Sequence, residues 1–147
     1  MLEETADGAV IDRLFTALGN GDVDAAIACL STDAKVWHAF DRVAHDLGTV
    51  RAGWEKLIAG TSERSVTDVR RAPTPTGFVQ QHLMTMRTLA GTRLAWPVCI
   101  VVRVDDGLIS RLDEYIDRAG HFTPVDDEPT TTPGLDPGPE LSRAFDR

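Results

Sequence analysis

The stretch that decides the fold is "TRLAWPVCIVVRVDDGLISRLDEYID", residues 92–117. Two long runs rich in β-branched and apolar residues flank Asp105-Asp106-Gly107, a short turn of the kind that joins antiparallel strands. The pattern predicts one strand over 92–104 and another over 108–117. Side chains alternate between faces in an extended chain. Leu112, Glu114 and Ile116 therefore share one face, while Arg111, Asp113, Tyr115 and Asp117 share the other. A glutamate between two apolar neighbours on an inward face is costly unless something pairs with it. Glu114 is read as a resident of an internal cavity.

The strand before it is apolar on both faces. One carries Arg93, Ala95, Pro97, Cys99 and Val101; the other carries Leu94, Trp96, Val98, Ile100 and Val102. An antiparallel sheet can leave one face to water, so a second apolar face wants a second cover. Pro97 and Cys99 are expected to line the interior. Trp96, Val98, Ile100 and Val102 are expected to meet a second copy of the sheet across a two-fold axis, making a homodimer.

Upstream, strands are expected over roughly 65–72 and 78–89, with "AGT" at 90–92 as a further hairpin signal. The chain opens with helices. Ile11, Leu14, Phe15 and Leu18 fall at helical spacing, and "GNGD" stops that helix. Asp22 can cap a second short helix. "AKVWHAF" alternates like a strand, "HDLG" breaks it, and Thr49 can cap a third helix carrying Val50, Trp54, Leu57 and Ile58. Helices followed by an antiparallel meander describe an α+β fold.

The 147 residues fit one domain, expected over 1–122, with a proline-rich tail over 123–147 that holds five of the eight prolines. A net charge of −8 argues against nucleic acid and anionic membranes as partners. No run approaches a membrane span, and "MLEETADGAV" lacks the parts of a signal peptide. Cys29 and Cys99 fit no metal or redox spacing and suggest reduced thiols in a cytoplasmic protein.

The order of elements, with "RLFTALGNGDVDAAIACLSTDAKVWHAF" near the start and "VRVDDGLISRLDEYID" at the end, resembles the nuclear transport factor 2-like superfamily. That group includes ketosteroid isomerases, SnoaL-like polyketide cyclases and limonene-epoxide-hydrolase-type enzymes. The resemblance covers about residues 8–122. It implies a cone: a curved antiparallel sheet wrapped around the N-terminal helices, with an apolar interior open at one end. Ketosteroid isomerases use an aspartate base with a tyrosine and a protonated aspartate as oxyanion hole. Those positions fall here on His38, Leu14 and Cys99, so that chemistry is not expected. The epoxide hydrolases use an Asp–Arg–Asp set, which falls on Ala95, Arg93 and Glu114, with Val36 and His38 at the water-holding positions. The SnoaL-like cyclases move a proton next to a carbonyl with an acidic residue and sometimes a histidine, which His38 and Glu114 suit best.

Strand parity places Val36, His38 and Phe40 on one face, and His82, Met84 and Met86 on another. The interior is accordingly expected to be lined by Phe40, Trp54, Met84, Met86, Pro97 and Cys99, with His38, His82, Arg93 and Glu114 as its polar points, and the resemblance adds Leu14 to the lining. Each has a plainer reading. Arg93 and Glu114 read equally as a structural ion pair, and His38 and His82 as hydrogen-bonded core histidines. Trp54 and the methionines read equally as packing. No metal is expected, because His45 reads as loop and His121 as tail junction. The resulting expectation is a cofactor-independent isomerase or cyclase acting by acid–base proton transfer or substrate folding. Its substrate would be a small, largely apolar molecule of polyketide or antibiotic biosynthesis. His38 would serve as acid or base, Glu114 as its partner and Arg93 as electrostatic anchor. Epoxide opening and non-catalytic small-molecule binding stand as alternatives.

Overall fold

The computed structural model describes residues 7–117, so the expected tail over 123–147 lies outside the described residues. Helix α1 (Gly8–Gly19) and the short α2 (Val23–Ile27) precede β1 (Leu30–His38) and β2 (Val43–His45). Then come α3 (Leu47–Gly60), β3 (Thr61–Thr74), β4 (Gly77–Thr88), β5 (Arg93–Asp105) and β6 (Leu108–Ile116). The six strands form one sheet in the order β2-β1-β6-β5-β4-β3. Only the β1–β6 pair is parallel; the remaining neighbours are antiparallel. The fold is α+β, an open curved sheet wrapped around the helices as a cone.

Local chemistry explains the element ends. Asp22 caps α2 by accepting from the Ala25 amide at 3.0 Å. The cap of α3 is Asp46, which accepts from the Thr49 amide at 3.0 Å, so Thr49 is the donor inside the first turn and not the cap. The β5–β6 turn has positive φ at both Asp106 (51°) and Gly107 (77°), the mirror-image turn whose twist suits a two-residue hairpin. Gly77 opens β4 where a Cβ would run into the Val102 carbonyl oxygen, so only glycine lets the strands close there. Pairing slips between Ser62 and Ser65 and between Thr67 and Arg70, where Glu63 and Asp68 take positive φ. Such bulges bend β3 and help the sheet to curl.

The core lies between α1 and the concave face of the sheet. Val10, Ile11, Leu14 and Leu18 of α1 pack with Phe78, Ile100, Val102, Ile109 and Leu112. Register decides which face of β5 takes part. Ile100 pairs with Glu114, Val102 with Leu112 and Val98 with Ile116, and these residues share the inner face. Val98, Ile100 and Val102 are accordingly buried, and Trp96 packs against the same cluster. This corrects the surface assigned to a partner copy: those four residues cover the helices of their own chain. Pro97 and Val101 are exposed on the opposite face. Pro97 is tolerated in a strand with neighbours on both sides because β6 pairs only as far as Val98, so its missing N–H costs no ladder bond on that side.

Candidate functional site

One row of paired residues crosses the inner face through all six strands. Arg71 pairs with Gln80, Gln80 with Ile100, Ile100 with Glu114, Glu114 with His38, and His38 with Val43. In register on one face, these positions carry Arg71, Gln80, Glu114 and His38, and further polar side chains gather around them. They fall into two groups separated by Ile100.

The first group sits where β1 turns into β2. The parallel β1–β6 register sets His38 beside Glu114, with His38 Nε2 3.8 Å from Glu114 Oε1. Both are reachable from water, their side chains 21% and 17% exposed. Phe40 stacks on the His38 ring at 4.8 Å and 19° while staying half open to solvent itself. His45 faces His38 across the hairpin, with ring centroids 5.4 Å apart. Its Nε2 lies 2.7 Å from Asp41 Oδ2, and Asp41 Oδ1 accepts from the Val43 amide at 3.0 Å. The hydrogen bond from His45, followed by that from Val43, holds the Asp41 carboxyl below its ordinary range. One nitrogen of each imidazole and one Asp41 oxygen all lie within 4.8 Å of one another, a donor set able to hold a metal ion.

The second group runs inward from an exposed aspartate to buried Gln80 and His82. Asp12 accepts from Arg71 at 2.6 Å, and Arg71 Nε donates to Gln80 Oε1 at 2.8 Å. Gln80 Nε2 lies 3.2 Å from His82 Nδ1. The chain of donors fixes the chemistry at its end. Arginine can only donate, so Gln80 presents its oxygen to Arg71 and its amide nitrogen to His82. That nitrogen can only donate too, so His82 Nδ1 accepts and the ring proton sits on Nε2. Burial pushes the His82 pKa down to about 4, so the ring is neutral near pH 7. Its Nε2 is buried with no hydrogen-bond partner among the described residues, and Phe15 packs edge-on at 4.9 Å.

The structure unites His38 with Glu114 and separates them from Arg93. Arg93 pairs with Arg87 at the start of β5, seven residues before Ile100, about 23 Å along a strand. By alternation it belongs to the face opposite Glu114. Its charge acts instead on Glu63, whose carboxyl is lowered chiefly by its hydrogen bond to Arg87. The expected Arg93–Glu114 pair is thus corrected: His38 is the basic neighbour of Glu114. Pro97 and Cys99 are corrected likewise. They lie on the outer face, in an open groove of ≈ 570 Å³ shared with Arg70, Gln81, Leu83 and Tyr115. Leu14 and Met86 are core, while Trp54 and Met84 are half-buried against it. Of Asp41, His45, Arg71 and Gln80, the sequence had singled out only His45, and as a loop residue, whereas it lies in β2. For the first two, the spacing His38-x-x-Asp41-x-x-x-His45 was the available signal.

No helix among the described residues is long and apolar enough to cross a membrane. Residues 11–112 match the SnoaL-like domain family. No curated protein matches the chain. Among solved structures, the chain is similar to an LEH-like epoxide hydrolase of M. tuberculosis, with 21% identity, TM-score 0.65, and coverage of 77% of this chain and 84% of that one. It is also similar to a candidate polyketide cyclase from Xanthomonas campestris pv. campestris, with 14% identity, TM-score 0.67 and coverage of 76% and 90%. A Catenulispora acidiphila protein with a ketosteroid isomerase-like fold, in complex with trimethylamine, shares 11% identity with TM-score 0.66 over 75% and 86%. At these identities the likeness establishes the fold.

Proposed function

The chain belongs to the SnoaL-like domain family of the nuclear transport factor 2-like superfamily, and from that premise we propose that it is a cofactor-independent isomerase or cyclase. It transfers a proton within a small, largely apolar molecule that carries a carbonyl oxygen. The observation that carries this reading is the His38–Glu114 contact on the inner face, at 3.8 Å and open to water. An imidazole has an ordinary pKa near 6.5, so it can take and return a proton at neutral pH. The carboxylate beside it stabilises the imidazolium formed when His38 accepts the proton. His82 supports the same reading from the other side of Ile100. A neutral imidazole whose proton sits on a buried Nε2 with no partner among the described residues is a hydrogen-bond donor of the kind a carbonyl or enolate oxygen accepts. Half-buried Phe15, which packs on His82, and Ile116, two residues from Glu114 on the same face, suit an apolar substrate.

The arginine on which an epoxide-opening reading relied is on the opposite face, so that reading lacks its electrophilic group here. The test is deuterium incorporation from D2O into a panel of β,γ- and α,β-unsaturated ketones, followed by proton NMR. The wild type is expected to catalyse exchange or double-bond migration. His38→Ala should lower the rate by about 100-fold or more and Glu114→Gln by a smaller factor. Folded variants that both react at the wild-type rate would overturn the assignment, and tight ketone binding without exchange would favour a binding protein.

A further inference from the structure

The β1–β2 hairpin brings together more ligating atoms than proton transfer uses. His38 and His45 lie on the same face, since His45 pairs with Val36, two residues before His38. Asp41 sits in the turn between them. The three donors lie within 4.8 Å of one another; Glu114 Oε1, outside that set, stands 3.8 Å from His38 Nε2, near enough to join as a fourth. We propose that His38, Asp41, His45 and Glu114 form a site for one divalent transition-metal ion of the zinc type.

Four features argue for that class. Two imidazoles and two carboxylates form an N2O2 set, which suits borderline ions such as Zn2+ and Co2+ better than the all-oxygen preference of Ca2+ or Mg2+. Two carboxylates balance a divalent charge. Ligand atoms around such an ion lie about 3 Å apart, as bonds of about 2.0–2.1 Å require. The 2.7 Å His45–Asp41 contact is a hydrogen bond whose proton leaves as the ion takes its place, and closing the other gaps calls for side-chain rotation in the 38–45 hairpin and at Glu114. The Val43 amide holds Asp41 Oδ1, which orients Oδ2 toward His45 as an outer hydrogen bond orients a metal ligand. Partial exposure of His38, His45 and Asp41 gives the ion a path in.

The site stands independently of the proposed proton transfer, and it has a consequence for it. A bound ion occupies the nitrogen lone pair of His38, so metal and proton compete for the same atom. Zinc is therefore an inhibitor of any chemistry that uses His38 as a base.

The test is a titration of the full chain, freed of metal, with ZnCl2 by calorimetry and with CoCl2 by visible absorption. One ion per chain is expected, with histidine 15N NMR signals shifting for His38 and His45 while His82 stays fixed. Asp41→Asn and His45→Ala should each weaken zinc binding at least about 10-fold, and Cys99→Ser should leave it unchanged. The NMR arm needs no variant, so a misfolded substitution does not blunt the test. Absence of binding, zinc shifts that bypass His38 and His45, or loss of binding in Cys99→Ser would each overturn the proposal. Because binding is read directly, it holds or fails whatever the ketone assay shows.

Discussion

The two polar groups on the inner face are built from the same materials and end in opposite states. At the hairpin, Asp41, His45, His38 and Glu114 meet water, and their contacts leave protons and ions free to come and go. Behind Ile100, Asp12, Arg71, Gln80 and His82 form a one-way chain of hydrogen bonds whose last members are buried. Burial makes each donor and acceptor obligatory, so the protonation of His82 is dictated by an arginine two links away. Exposure removes that obligation. The difference teaches that a histidine is a candidate for proton or metal traffic where it is half open, and a fixed donor where it is sealed.

The hardest blow to that contrast would come from the buried chain. Gln80→Leu orphans both Arg71 Nε and His82 Nδ1, and is expected to cost about 2–5 kcal/mol in urea unfolding. A loss below about 0.5 kcal/mol would mean the chain does not discriminate as argued.

Acid should expose the same contrast next. The folded pKa of His82 is about 4, below the ordinary 6.5, so the unfolded chain binds a proton first as pH falls. Its contribution is fully present above about pH 6.5 and is lost between 6.5 and 4, by up to about 3 kcal/mol. Unfolding free energies across that range should slope for the wild type and flatten in His82→Phe. Equal slopes would assign the acid sensitivity elsewhere.

The smallest effect belongs to the hairpin. Asp41→Asn in metal-free protein should leave the melting temperature nearly unchanged, because an exposed pair contributes little. A thermal melt showing a larger drop would move Asp41 from the open class to the structural one.

Much of the fold was legible. The hairpin at 105–107 and the strands on either side follow from alternation and turn chemistry, and Asp22 caps α2 as its position suggests. Glu114 was legible too, since Leu112 and Ile116 flank it on one face and both face the helices. The strand at 92–104 was not. Its two faces are equally apolar, so no periodicity could choose between Trp96–Val102 and Arg93–Val101. Register with β6 made the choice, sending Val98, Ile100 and Val102 inward and Arg93, Pro97 and Cys99 away. The hairpin cluster escaped notice because β2 is three residues long, too short to show a pattern.

By itself the sequence determined the order of elements, the turns and caps, and the inward aim of Glu114, because these depend on neighbours a few residues apart. Only the tertiary structure decided which cation meets that carboxylate, which histidine is sealed and which half open. Those outcomes depend on strand pairing between residues 76 positions apart in the chain, such as His38 and Glu114, and on how deeply each pair is buried. Local alternation carries no information about either.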